Sequence, residues 1–122
     1  ENRPIVLAVT ALTSFSEVVF NEVYEGSIAQ KADQFAKDAH ESGLDGVVCS
    51  AYESESIKNI TDKAFMTLTP GIRPFGEDAG DQQRVADVAY AKSASVDFIV
   101  VGRPIYKSQN PSEVVKKILE QI

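Results

Sequence analysis

Disulfide-forming and metal-binding side chains are almost absent from this 122-residue sequence, which has one cysteine, one histidine and no tryptophan. Cys49 alone cannot form an internal disulfide, and no Cys or His residues are paired at the spacing of metal ligands. This usage is typical of a reducing compartment. We therefore expect a cytoplasmic protein with no metal site.

Long hydrophobic runs and clusters of positive charge are missing as well. The apolar runs at 5–9 and 98–101 are far shorter than the roughly 18 residues that span a bilayer, and no signal-peptide pattern heads the chain. The formal net charge is −6, whereas nucleic-acid binding depends on clustered Lys and Arg. We expect neither a membrane nor a nucleic-acid partner.

The residues that are present predict one compact unit. Apolar residues make up 43% of the chain, too many for a disordered segment, and the length suits a single domain. The chain opens without Met and runs almost at once into an apolar segment, so we expect it to begin inside a longer protein.

Short apolar runs alternate with helical patterns along the whole chain. Four continuous runs, rich in β-branched or aromatic residues, predict strands covered on both faces at 5–9, 46–49, 65–68 and 98–101. Apolar spacing predicts a helix from Ser27 to Gly43, with a capping box of Ser27 and Gln30, and a last helix after Asn110. Weaker patterns indicate helices at 53–60 and 83–94.

This order predicts an α/β fold with a parallel sheet. Four strand–helix units are compatible with a small open doubly wound sheet or with half of an eight-stranded barrel, which usually has about 250 residues. Sequence order alone leaves both architectures open.

Polar and glycine residues follow every predicted strand, at the edge where parallel sheets bind ligands. The third and fourth strands end in Gly71-Ile72-Arg73-Pro74 and Gly102-Arg103-Pro104. Glycine lets backbone N–H groups approach an anion closely, and a guanidinium matches the geometry of phosphate oxygens. These two loops predict a phosphate site.

A polar stretch between Gly71 and Arg84 predicts a mobile lid. It contains Gly76, Gly80 and the pair Gln82-Gln83. A loop that closes over a phosphate excludes water and orients the reacting group. A glutamine amide can donate to phosphate without burying a further charge.

Four linked motifs resemble the C-terminal half of bacterial orotidine 5′-phosphate decarboxylase, in the family's order and spacing. They are the segments 8–14, 43–51, 69–84 and 101–105. The resemblance implies that 1–122 is a single segment, supplying strands five to eight of a (β/α)₈ barrel. It also implies conversion of orotidine monophosphate to uridine monophosphate and CO₂ in pyrimidine synthesis, without a metal or organic cofactor.

The resemblance also implies roles for individual residues. Thr13, with Ser14 beside it, matches the position that contacts substrate near the pyrimidine, and the phosphate-binding positions match Arg73, Gln82, Gly102 and Arg103. Two positions depart from the family pattern: Ser95 stands where Gly is usual, and 85–88 replaces a Thr-Pro helix start.

The family's catalytic Asp-x-Lys-x-x-Asp run is not present in this sequence. We therefore expect no catalytic residue in this chain, no activity from the chain alone, and either a homodimer or association with the missing N-terminal half. Two alternatives remain open at this stage: a non-catalytic, self-associating half-barrel, and a related sugar-phosphate decarboxylase.

Overall fold

Four short strands and six helices form the described part of the chain. A computed structural model describes residues 3–122, so positions 1 and 2 of the predicted segment lie outside the described residues. The strands are β1 (Leu7–Val9), β2 (Gly46–Val48), β3 (Met66–Thr69) and β4 (Phe98–Ile99). The helices are α1 (Glu17–Asn21), α2 (Ile28–Glu41), α3 (Ala51–Ile60), α4 (Val88–Ser93), α5 (Arg103–Tyr106) and α6 (Pro111–Leu119).

The strands form one parallel sheet in the order β1-β2-β3-β4. Val48 of β2 is in register with Val9 on one side and with Leu68 on the other, and Leu68 pairs with Phe98 of β4. The predicted α/β fold with a parallel sheet is confirmed. All four carboxyl ends consequently lie along the same edge.

Local sequence signals determine both ends of α2. The Ser27 side chain accepts a hydrogen bond from the Gln30 N–H, and the Gln30 side-chain oxygen accepts one from the Ser27 N–H, which completes the predicted capping box. Gly43 follows the helix with φ of 78°, a conformation that favours glycine. The helix buries Ala36 and Ala39 against β2 and α3, whereas Ile28 packs against Phe20 of α1.

Buried apolar side chains form three clusters. One joins α2, β2 and α3 around Val47 and Ile57, and a second joins α4 and α6 around Val88 and Ile118. The third holds Phe20 of α1 against Ala11 and Ile28. Within residues 3–122, no helix is long and apolar enough to cross a membrane.

The prediction that the strands are covered on both faces is wrong for the two outer strands. Val9 is 56% exposed and Phe98 is 49% exposed. The strands β1 and β4 are also shorter than the apolar runs at 5–9 and 98–101, because each has a neighbour on one side only. The apolar stripe predicted for α6 is likewise only partly buried, since Leu119 remains 60% exposed.

Two helices differ from the predicted bounds, and two short helices are additional. The helix predicted at 53–60 begins earlier, at Ala51, where Ser50 is the N-cap. The helix predicted at 83–94 begins only at Val88, because Gln83 and Arg84 bond to another loop and Asp87 caps the helix through the Tyr90 N–H. The short helices α1 and α5 were not predicted.

An ion pair joins α3 to the start of β4. The Lys58 Nζ lies 2.8 Å from an Asp97 carboxylate oxygen, which also accepts a 2.8 Å hydrogen bond from the Thr67 N–H of β3. Burial acts to raise the pKa of Asp97, but the hydrogen bonds from Lys58 and Thr67 outweigh it and hold that pKa below its usual value. This pair lies at the amino end of the sheet, opposite the candidate site.

Candidate phosphate-binding site

A cavity of about 370 Å³ opens at the carboxyl edge of the sheet. Its walls come from the loops that follow β1, β3 and β4 and from the residues at the ends of β1 and β2. All six predicted binding residues line this one cavity: Thr13, Ser14, Arg73, Gln82, Gly102 and Arg103. Because parallel strands end at the same edge, segments 90 residues apart in the chain meet here.

Thr13 is the buried polar residue of the loop after β1. Its hydroxyl donates a hydrogen bond to the Gln82 side-chain oxygen, and its carbonyl accepts from the N–H groups of Gln83 and Arg84 at 3.0 and 3.2 Å. The predicted lid therefore folds back onto the β1 loop. Ser14 is exposed at the cavity mouth.

Arg73 is buried, and its own loop occupies its guanidinium. The Nε group donates to the Asp78 carbonyl, and the two terminal nitrogens donate to the carbonyls of Ile72 and Ala79, all within 3.0 Å. Within residues 3–122 no carboxylate pairs with this guanidinium, so its positive charge is available to an anion that enters the cavity.

Arg103 begins α5 and faces the lid from the opposite side. Its Nη1 lies 2.6 Å from a carboxylate oxygen of Asp81. The Arg103 hydrogen bond holds the pKa of Asp81 below its usual value. This contact shows that Arg103 accommodates an oxyanion in the position it occupies here.

Two glycines differ in what they contribute. Gly71 has φ of 76° and lies beneath the Thr13–Gln82 contact, where an added Cβ would come within 3.3 Å of the Gln82 side-chain oxygen. At Gly102 an added Cβ would touch only the Tyr106 ring, at 3.9 Å. The space above the Gly102 backbone is thus open, as close approach of an anion requires.

Cys49 and His40 fit structural roles. Cys49 is 1% exposed, and burial raises the pKa of its thiol to about 12, so it is not a thiolate nucleophile at neutral pH. His40 lies in the last turn of α2, with its ring edge against Phe65. Among residues 3–122, no three His, Cys, Asp or Glu side chains are grouped as metal ligands.

Sequence reasoning missed a buried charged pair beside the cavity. The Arg84 guanidinium contacts the Glu53 carboxylate and donates to the Ala11 and Leu12 carbonyls at 3.0 and 3.3 Å. Glu53 also complements the N-terminus of α3 by accepting a hydrogen bond from the Ser50 N–H. The capping box identifies Glu53, but no local signal connects it to Arg84, 31 residues away.

The fold and the site define a parallel α/β protein with arginines and glycines at its strand ends, a class in which phosphorylated ligands bind at that edge. Residues 1–118 match the profile of the orotidine 5′-phosphate decarboxylase / HUMPS family. The chain belongs to this family.

Named relatives agree with this assignment. The chain is 79% identical over its whole length to orotidine 5′-phosphate decarboxylase of Sulfurimonas denitrificans, covering 54% of that protein. It is 67% identical to the enzyme of Nautilia profundicola, covering 53%. The crystal structure of the Lactobacillus acidophilus enzyme matches 97% of this chain and 49% of its own, with a TM-score of 0.77 and 36% identity. The chain thus spans about half the length of these relatives.

Proposed function

We propose that this chain supplies the phosphate-binding half of an orotidine 5′-phosphate decarboxylase, which converts orotidine monophosphate to uridine monophosphate and CO₂. The main support for this proposal is that the predicted binding residues, which follow three separate strands, line one cavity. Arg73 and Arg103 offer two guanidinium groups to the phosphate, and Gly102 leaves the backbone open beside them.

Thr13, Ser14 and Gln82 complete the proposed ligand site. Thr13 binds near the pyrimidine, with Ser14 beside it at the cavity mouth. Gln82 reaches the phosphate from the lid, and its present bond to Thr13 links the two ends of the ligand site. A lid held in this way excludes water from a bound nucleotide.

We further propose that the sheet is strands five to eight of a (β/α)₈ barrel. In the order β1-β2-β3-β4 the chain never reverses direction across the sheet, so right-handed crossovers place all helices on one face. The face of the sheet without helices would then line the interior of the barrel. The exposed Val9 and Phe98 on the outer strands and Leu119 on α6 are the surfaces that the second half would cover.

The proposed roles assign binding to this chain and chemistry to the other half. The Asp-x-Lys-x-x-Asp run of the family is not in this sequence, and no step of the proposed reaction needs a cofactor. The isolated chain is therefore expected to bind uridine monophosphate (UMP) without decarboxylating orotidine monophosphate (OMP).

Calorimetric titration of the chain with UMP tests the binding proposal. Replacing a guanidinium removes charge-assisted hydrogen bonds worth about 2 kcal/mol, so Arg103→Met should weaken UMP binding at least tenfold. Lys116→Met on α6 loses the same charge away from the cavity and should bind UMP like the unchanged chain.

Three outcomes would count against the proposal. Equal UMP affinity in the Arg103 and Lys116 variants would show that the phosphate does not bind at Arg103 in this cavity. A pentose phosphate that displaced UMP at equal concentration would point to a sugar-phosphate enzyme instead. Turnover of OMP by the isolated chain would show that the chemistry does not depend on a second half.

A further inference from the structure

The Arg84 side chain connects three segments that border the candidate site. It is one of the less exposed charged side chains, with 16% of its surface accessible. Beyond the Glu53 carboxylate, it reaches the Ser50 hydroxyl at 3.3 Å and the carbonyls of Ala11 and Leu12. One planar group thus joins the end of the lid, the start of α3 and the loop after β1.

The two segments that Arg84 joins to α3 carry Thr13 and Gln82. Leu12 directly precedes Thr13, and Gln82 lies two residues before Arg84. The backbone N–H of Arg84 donates to the Thr13 carbonyl at 3.2 Å, beside the Gln83 N–H at 3.0 Å. Loss of the Arg84 bonds would therefore free Thr13 and Gln82 to move apart.

Glu53 holds this guanidinium in place. Its side chain is 5% exposed, and one carboxylate oxygen accepts from the Ser50 N–H at 2.9 Å while the other contacts Arg84. The carboxylate is thereby fixed at the N-terminus of a ten-residue helix, α3. A buried ion pair of this kind adds little net stability, because desolvation offsets the attraction, but it specifies one geometry.

We infer that Arg84 is a positioning residue for the nucleotide site and that Glu53 is its anchor. The inference rests on the proposed function only for the identity of the ligand. Arg84 itself does not line the cavity, and it acts by fixing the separation between Thr13 and Gln82. Its fork of donors bonds a carboxylate, a hydroxyl and two carbonyls at once, which the single ammonium of lysine cannot match.

A matched set of variants separates positioning from stability. Arg84→Met and Glu53→Leu each leave one buried charge unpaired and should lower the thermal midpoint. The double variant E53L/R84M replaces both charges with apolar groups of similar size and should recover most of that loss. Its UMP affinity should nevertheless stay at least fivefold weaker, because the Ala11 and Leu12 carbonyls lack their donor.

Arg84→Lys is a second test of the positioning role, because it keeps a positive charge opposite Glu53. It should fold and still bind UMP more weakly than the unchanged chain. UMP affinity equal to that of the unchanged chain, in a folded double variant or in Arg84→Lys, would overturn the inference and leave Arg84 a purely structural residue.

Amide hydrogen exchange of the ligand-free chain separates this inference from the proposed function. The Gln83 N–H, which donates to the Thr13 carbonyl, should exchange faster in E53L/R84M than in the unchanged chain, while amides of α2 should not change. Unchanged exchange at Gln83 would contradict the positioning role. If the unchanged chain fails to bind UMP while Gln83 responds as expected, the nucleotide assignment fails and the positioning role stands.

Discussion

Ser95 adopts a left-handed backbone conformation, with φ of 57°, in the turn between α4 and β4. Its side chain is exposed and makes no hydrogen bond within the described residues, although its N–H donates to the Lys92 carbonyl at 3.3 Å. A side chain in this conformation costs roughly 1 kcal/mol, a cost that glycine avoids. The turn is therefore less stable than the same turn would be with glycine at position 95.

We expect Ser95→Gly to stabilise the chain by about 0.5–1 kcal/mol, because the gain at positive φ exceeds the extra flexibility of glycine in the unfolded state. Urea denaturation followed by circular dichroism measures the change. Ser95→Ala retains the Cβ and should give no comparable gain. A loss of stability on glycine substitution would show that the turn does not depend on this residue's conformation.

Asp97 links three elements of the fold: it pairs with Lys58 of α3, accepts from the Thr67 N–H of β3, and directly precedes β4. The pKa of Asp97 is lowered in the folded chain, so the stabilisation it gives is present above the unfolded value of about 3.9 and is lost as pH falls through the lower folded value. Acid should weaken this connection while the caps of α2, formed by uncharged groups, persist.

Asp97→Asn should cost about 1–2 kcal/mol of unfolding free energy near pH 7, since a charge-assisted bond to Lys58 becomes a neutral one. The difference from the unchanged chain should shrink below about pH 4 as Asp97 becomes protonated. Urea denaturation across this pH range measures it. Glu41→Gln, at an exposed position of α2, should give no such difference, and a constant gap for Asp97→Asn down to pH 2 would contradict this account.

The longer helices could be predicted from the sequence, and the two shortest helices could not. Helix α2 has a capping box, a glycine stop and an apolar face that all agree, whereas α5 has four residues and no full period of apolar spacing. The start of α4 was predicted too early because Gln83 and Arg84 bond to Thr13, a contact that depends on the folded sheet. Tertiary contacts overrode local propensity there.

The cavity residues could be predicted because strand ends in a parallel sheet meet at one edge. That rule brought Arg73 and Arg103 together from sequence alone. It says nothing about what surrounds the strand ends, so the Glu53–Arg84 pair and the contact of Asp81 with Arg103 appear only in the structure. Long-range pairing of charges has no local sequence signal.

At the scale of the whole molecule, apolar surface remains open along both outer strands and α6. A groove of about 240 Å³ beside α6 is lined by apolar side chains that include Val115, Leu119 and Ile122. Exposed strand edges and apolar patches of this kind favour association with another chain. We therefore expect the isolated chain to self-associate unless the proposed second half covers these surfaces.

Sedimentation equilibrium should show dimers or larger species whose fraction rises with concentration. Leu119→Asp places a charge on the groove and should shift the equilibrium towards monomer. Ile60→Asp is the matched control, because Ile60 is also the last residue of a helix and 42% exposed, and it should associate like the unchanged chain. A monomer at all concentrations would contradict the prediction.

The contact between Asp81 and Arg103 also determines which ligands the molecule can distinguish. A ligand anion that reaches Arg103 replaces a carboxylate already present, so its gain depends on how far its charge exceeds one unit. A phosphate monoester near neutral pH carries close to two negative charges, whereas chloride or a carboxylate carries one. We therefore expect the Asp81 carboxylate to disfavour monovalent anions at Arg103 more than phosphate monoesters. In the proposed phosphate site, this competition should favour phosphate esters even in a solution where simple anions are far more abundant.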